Sequence, residues 1–125
     1  MIRQIVVVNM AVPMDFSQLS VQVAHASMLG VLNQGQWVSQ DNQEVEDLLF
    51  INCIAKPELM TWLKDHFTLV VCKVWGKKAI MELEAEAKRY DINTAIMEDY
   101  GHTTALAIGP ASEEKLLPFK RLTLL

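Results

Sequence analysis

Two stretches of this chain carry side chains of the kinds that open an ester or amide with water. One runs Leu19-Ser20-Val21-Gln22-Val23-Ala24-His25-Ala26-Ser27; the other, far along the chain, runs Glu98-Asp99-Tyr100-Gly101-His102-Thr103-Thr104. Asp99 is a carboxylate able to hold and orient a hydrolytic water. Thr104 offers a hydroxyl or a backbone N–H that can polarise a carbonyl. His25 reads either as a satisfied, partly buried helix residue or as a group that positions or touches a substrate. If the first stretch is helical, Gln18, Gln22, His25 and Leu29 share one face, because residues three and four apart stack. Polar groups on a helix face and at strand ends converge in small α/β domains, so the two stretches can line one site.

Each residue also has a plainer reading. Asp99 beside a glycine is a turn-forming residue, and Thr104 is an ordinary way to begin a strand. Lys73 and the pair Lys77 and Lys78 cluster at a strand–helix junction and form a local basic patch or simply a solvated one. His102 can contact a phosphate only weakly near pH 7, where an unperturbed imidazole is mostly neutral. Gly101 and Gly109 are geometric, allowing positive φ or close backbone approach. Trp62 and Trp75 can stack a base but also suit core or interface packing. Glu82, Glu84 and Glu86 read as a solvated helix face. Cys53 and Cys72 sit in apolar stretches without metal-ligand or CxxC spacing, and read as buried thiols. No Ser/His/Asp order or phosphate-binding glycine loop is present, and nothing calls for a cofactor.

The elements that must position these groups are legible from patterning. Ile2 to Asn9 is a β-branched run, apolar on both faces, as for a central strand covered on both sides. Asp15 with Gln18 forms a capping box that starts a helix running to about Gln34, which Gly35 ends. Gln36 to Asn42 reads as a polar loop, and Glu44 to Cys53 is ambiguous between helix and strand. Pro57 opens a short helix ending near His66. Phe67 to Trp75 is a strand, Gly76 breaks it, and Lys77 to Tyr90 is a helix whose Ile80, Leu83 and Ala87 form one stripe. Thr94 to Glu98 and Thr104 to Gly109 are two further strands. Pro110 to Glu114 reads as a turn plus helix start, and Leu122 to Leu125 as an extended tail. This order predicts an α/β fold, a three-layer α/β/α sandwich with a small four-stranded mixed sheet, in one domain spanning 1–125.

Bulk properties bound the function. The 125 residues suffice for one core, and the net charge of −4 argues against whole-molecule attraction to nucleic acid. Of 11 Lys and Arg residues, only Arg3 precedes position 55, so the positive charge is unevenly placed. A mean hydropathy of +0.18 is high for a small soluble monomer and fits a buried subunit interface, although a well-filled core accounts for much of it. No apolar run approaches the roughly 18 residues that span a bilayer, and the first residues lack the basic region of a signal peptide. The expectation is a cytoplasmic protein with no membrane partner.

At this point the chain resembles the type II (archaeal and eukaryotic type) peptidyl-tRNA hydrolases. That family carries a G-K-x-A-A-Q-x-x-H-A helix, a K-V-V-V-K strand, a D-x-G-x-T turn and a T-x-L-G-I-G-P strand end. The matching stretches here are Ser17-Gln18-Leu19-Ser20-Val21-Gln22-Val23-Ala24-His25-Ala26, then Leu69-Val70-Val71-Cys72-Lys73, then Asp99-Tyr100-Gly101-His102-Thr103, then Thr104-Ala105-Leu106-Ala107-Ile108-Gly109-Pro110. The resemblance spans nearly the whole chain apart from an insertion at about 36–55. It implies a homodimer without cofactor, acting on peptidyl-tRNA, with Asp99, Thr104 and His25 in the catalytic group. It implies Gln18, Gln22, Lys73, His102 and Thr103 as substrate contacts. The family places an active-site lysine where Gln18 stands, an arginine where His102 stands, and a longer turn between its last two blocks. These departures and the acidic balance also fit a second reading: a binding or regulatory module, or a hydrolase of another small ester or amide, on the same scaffold.

Overall fold

The computed structural model describes residues 1–38, 48–52 and 54–125. The chain begins with β1 (Ile2–Asn9), α1 (Phe16–Leu32) and two short strands, β2 (Gln36–Val38) and β3 (Leu48–Phe50). It continues through α2 (Pro57–Lys64), β4 (Leu69–Val74) and α3 (Lys77–Arg89). Strands β5 (Thr94–Asp99) and β6 (His102–Ser112), a 3₁₀ turn at Leu117–Phe119 and β7 (Thr123–Leu124) complete it. Among the described residues, no helix is long and apolar enough to cross a membrane.

The main sheet has five strands in the order β5-β6-β1-β4-β7, with β1 and β4 parallel and the other neighbours antiparallel. Sequence reasoning counted four. The fifth is the C-terminal tail, whose Thr123 and Leu124 pair with Lys73 and Cys72 of β4. Two residues are too few to show an alternation that patterning could detect. β1 lies at the centre, and its bounds are those its β-branched run predicts. Alternate residues of β1 serve different packing clusters: Ile5 and Val7 join Ile80, Leu83 and Ala87 of α3, whereas Val6 joins Ala26 of α1 with Ala95, Ala105 and Ala107. The alternation follows from the two-residue period of a strand.

The predicted capping box forms: the Asp15 carboxylate accepts from Gln18 N at 2.8 Å, and Gln18 Oε1 accepts from Asp15 N at 3.0 Å. The stripe of α1 that is buried consists of Gln22, Ala26 and Gly30. At Gly30 the helix comes so close to the sheet that a Cβ would stand 2.7 Å from Gln4 Nε2 and 3.2 Å from Ala107 Cβ.

Two expectations are corrected. Pro110 to Glu114 carries a helix-start signature, yet β6 continues to Ser112 and is followed by turns. Ile5 pairs with Ile108 and Arg3 with Ala111, so Gly109 and Pro110 together oppose Gln4 in a bulge. A proline lacking a ladder N–H is tolerated at such a bulge. Gly109 there has φ +92°, and a Cβ on it would meet Ala111 N at 2.8 Å. Gln36 to Val38, expected as loop, is β2 and pairs with β3 as a separate two-stranded ribbon. The strand half of the ambiguous stretch is β3. Residues 39–42 of the expected loop, 44–47 of the ambiguous stretch, and Cys53 lie outside the described residues.

Candidate active site

The hairpin joining β5 and β6 is a two-residue connection in which Tyr100 (φ +54°) and Gly101 (φ +73°) are both left-handed. That pairing of positive φ values matches the twist of antiparallel strands and fixes Asp99 opposite His102. Behind the turn the register slips: Met97 pairs with Ala105 but Glu98 pairs with Thr103, leaving Thr104 as an extra residue in β6. In an unbroken ladder Thr104 would share the face of Leu106 and Ile108, which pack with α3. The bulge instead turns its hydroxyl toward α1, the kind of re-aiming for which bulges recur beside functional sites.

There it meets Gln22, which is fully buried. The Thr104 hydroxyl donates to Gln22 Oε1 at 2.6 Å and lies 3.2 Å from the Met97 carbonyl. Gln22 Nε2 in turn donates to Asp99 Oδ2 at 2.9 Å. Asp99 Oδ1 accepts from Tyr100 N at 2.9 Å. One oxygen of the carboxylate is therefore held by the helix and the other by the turn. Asp99 is only half-buried, and an ionised carboxylate has about four acceptor positions, so room remains for a water.

Gln22, Asp99 and Thr104 are thus brought together as sequence reasoning required. Thr104 is fully buried and its hydroxyl is engaged by Gln22, so of the two polarising groups expected there the hydroxyl is taken up inside the protein. His25 stands three residues beyond Gln22 on α1, is exposed, and hydrogen-bonds to no described side chain. Gln18, half-buried at the start of the same helix, has its oxygen engaged in the capping box. Lys73 is half-buried on β4 with its ammonium 5.8 Å from the centre of the exposed Trp75 ring. Trp62 is buried and donates its indole N–H to Thr68 O, a core role. His102 and Thr103 line a cavity of about 280 Å³ together with Asn9, Gly76, Lys77, Glu98 and Gly101.

Asn9 was missed by sequence reasoning. It is buried, its Nδ2 donates to Thr103 O at 2.9 Å, and its Oδ1 accepts from Gly76 N at 2.8 Å and Ala11 N at 3.0 Å. One amide therefore ties the end of β1 to the start of α3 and to the hairpin strand. The available signal was an amide side chain closing an otherwise apolar central strand.

The model of the family described as Peptidyl-tRNA hydrolase PTH2 matches residues 2–125. A protein of Halobacterium salinarum named Peptidyl-tRNA hydrolase is 30% identical over 118 residues, covering 89% of this chain and 88% of its own length. The protein of the same name from Thermococcus onnurineus is 28% identical over 120 residues, covering 90% of this chain and 86% of its own. That of Methanopyrus kandleri is 28% identical over 123 residues, covering 93% and 90%.

Proposed function

The chain belongs to the peptidyl-tRNA hydrolase PTH2 family, and from that premise we propose that it hydrolyses the ester between a peptide and the 3′ ribose of tRNA. Asp99 holds the attacking water and takes its proton as the water oxygen bonds to the acyl carbon. Collapse of the tetrahedral adduct breaks the bond to the ribose oxygen, which receives the proton back. The observation that carries this reading is the two-sided grip on Asp99, by Gln22 Nε2 on one oxygen and Tyr100 N on the other. A carboxylate so held is oriented before substrate arrives, and orientation is a large part of what a hydrolytic base contributes. His25, exposed and one helical turn along from Gln22, is placed on the substrate side, with Gln18, Lys73, His102 and Thr103 as further contacts.

The same reading takes the fold as three layers, with α1 and α3 on opposite faces of the sheet, which the alternation of Ile5, Val6 and Val7 supports. It takes the protein as a cytoplasmic homodimer. Phe67, Leu69, Trp75 and Leu124, exposed apolar side chains in or beside β4 and β7, support an interface there.

The test is release of peptide from peptidyl-tRNA by the wild type and by Asp99→Asn. The asparagine has one acceptor oxygen, so it keeps one of the two bonds and sets its NH2 against the other donor. The base is lost, and turnover falls by about 10²–10⁴ in a protein whose folding is checked by circular dichroism. A folded wild type that releases no peptide defeats the proposal and leaves the binding-module reading in its place.

A further inference from the structure

We propose that the N-terminus of α3 is a phosphate subsite, filled by the RNA backbone of the substrate; the identity of that phosphate donor, though not the subsite, rests on the hydrolase reading. The N-cap residue, Gly76, has φ +106° and supplies no side-chain cap, so the N–H groups of the first turn at Lys77, Lys78 and Ala79 have no capping acceptor. The amide of Gly76 itself is bound by Asn9 Oδ1, which fixes the direction in which the turn opens. A Cβ added at Gly76 would meet nothing within 4 Å, so the space beside the turn is open.

The charges of this turn run against the helix dipole. It contains no acidic residue, and its first two residues are lysines. A cation at the positive end of a helix costs stability, whereas an anion there is favoured. Lys78 has a partial partner in Glu82 at 4.0 Å, but its side chain is 92% exposed and that pair holds it weakly. An anion bound between the lysines and the free N–H groups removes the conflict.

The independent observation is Thr103. It is 5% exposed, lines the same cavity as Gly76 and Lys77, and its hydroxyl has no hydrogen-bond partner among the described residues. Its backbone carbonyl is already taken by Asn9, so the free group is the hydroxyl. The hydroxyl is not sealed from solvent, so the small exposed part of this otherwise buried residue includes a free donor open to the cavity, where a phosphate oxygen can take the place of water. The bulge that sends Thr104 toward α1 leaves Thr103 beside its cross-strand partner Glu98 in this cavity. The two threonines therefore serve two sites on one hairpin, Thr104 supporting Asp99 and Thr103 facing the start of α3. The cavity also lies at the carboxyl ends of the parallel pair β1 and β4, where open α/β sheets take ligands. Glu98 opposes an anion there, and so supplies a control.

The experiment follows the amide resonances of Lys77, Lys78 and Ala79 in the full chain as inorganic phosphate is added at low salt. Saturable shifts are expected, weakened about fivefold or more by Thr103→Val and by Lys77→Glu, and strengthened by Glu98→Gln. Amides that do not move, or shifts unaltered in all three variants, overturn the subsite. A second arm measures tRNA binding against salt. The double variant Lys77→Gln, Lys78→Gln should flatten the logarithmic salt slope by about 1–2, since each lost phosphate contact removes about one unit. Phosphate shifts with an unchanged tRNA slope overturn the assignment to RNA. A wild type that satisfies both arms yet releases no peptide supports the subsite and sinks only the hydrolase reading.

Discussion

Gln22 Nε2 and Asp99 Oδ2 stand 2.9 Å apart across 77 residues of sequence, and the same glutamine takes the Thr104 hydroxyl on its oxygen at 2.6 Å. Both ends of one buried amide are therefore committed, and the carboxylate cannot swing without breaking its bond to Gln22.

Replacing Gln22 by leucine, similar in bulk, leaves Asp99 with only the Tyr100 N–H and Thr104 with only the more distant Met97 carbonyl. Stability should fall by about 1–3 kcal/mol, the cost of stranding buried polar groups. Turnover should fall by about 10–100-fold with KM little changed, because the loss is in orientation and not in substrate contact. Steady-state kinetics beside a urea titration check both. A large rise in KM with kcat intact would show that Gln22 holds substrate.

Gln18→Lys restores the cation the family carries at that position but removes the acceptor for Asp15 N. The Asp15 half of the capping box, which accepts from the backbone of residue 18, survives the change. The expected result is a loss of about 0.5–1 kcal/mol in stability, with a gain in kcat/KM on peptidyl-tRNA from a fixed charge near phosphate or oxyanion. Thermal melting and single-turnover hydrolysis measure the two effects separately. Unchanged hydrolysis would mean that the site does not lack a cation there.

Much of this architecture is legible in the chain because local signals agree with the fold. The apolar run of β1, the Asp15–Gln18 box and the Ile80, Leu83, Ala87 stripe each match one periodicity or one cap, and each forms as read. Convergence of α1 with the late hairpin was legible from polar residue types at a helix face and a strand end. The bulge at Thr104 was not, since a one-residue slip leaves the same letters in the sequence while exchanging which threonine faces which helix. Nor was the left-handed Tyr100, as tyrosine is an unusual residue for positive φ. The helix-like Pro-Ala-Ser-Glu-Glu string hid the end of β6 because its cap signature is local, while the pairing with Ile2 and Arg3 that overrides it is not.

Cys72 supplies a prediction about pH. Burial against apolar neighbours pushes its thiol above the ordinary value of 9.0. The unfolded chain therefore ionises first as pH rises. The contribution of the neutral thiol to stability is complete below that ordinary value and is lost as pH climbs from it toward the folded one. Between pH 7 and pH 10 the wild type should lose more of its urea midpoint than Cys72→Val, which keeps the bulk without the titration. Lys115, whose hydrogen bond to Glu58 raises its own value, changes stability in both proteins alike and cancels in the comparison. Equal losses in the two proteins would show that the thiol is not protected in the folded state.

Gly30 tests how closely α1 must approach the sheet to bring Gln22 to Asp99. In an exposed helix interior, Gly→Ala stabilises by about 1 kcal/mol. Here the new Cβ would lie 2.7 Å from Gln4 Nε2 and 3.2 Å from Ala107 Cβ. Gln4 is fully buried and its Nε2 donates to Ser27 O at 3.2 Å, so its end is not free to move aside. The contact term should therefore reverse the sign, and Gly30→Ala should cost about 1–3 kcal/mol. Displacing α1 would also lengthen the Gln22–Asp99 contact, so hydrolysis should drop with stability although residue 30 lies two helical turns from residue 22. A double-mutant cycle with Gln4→Ala separates the causes: removing the obstructing amide should recover much of the loss due to Gly30→Ala. Additive penalties in that cycle would locate the strain elsewhere than at Gln4.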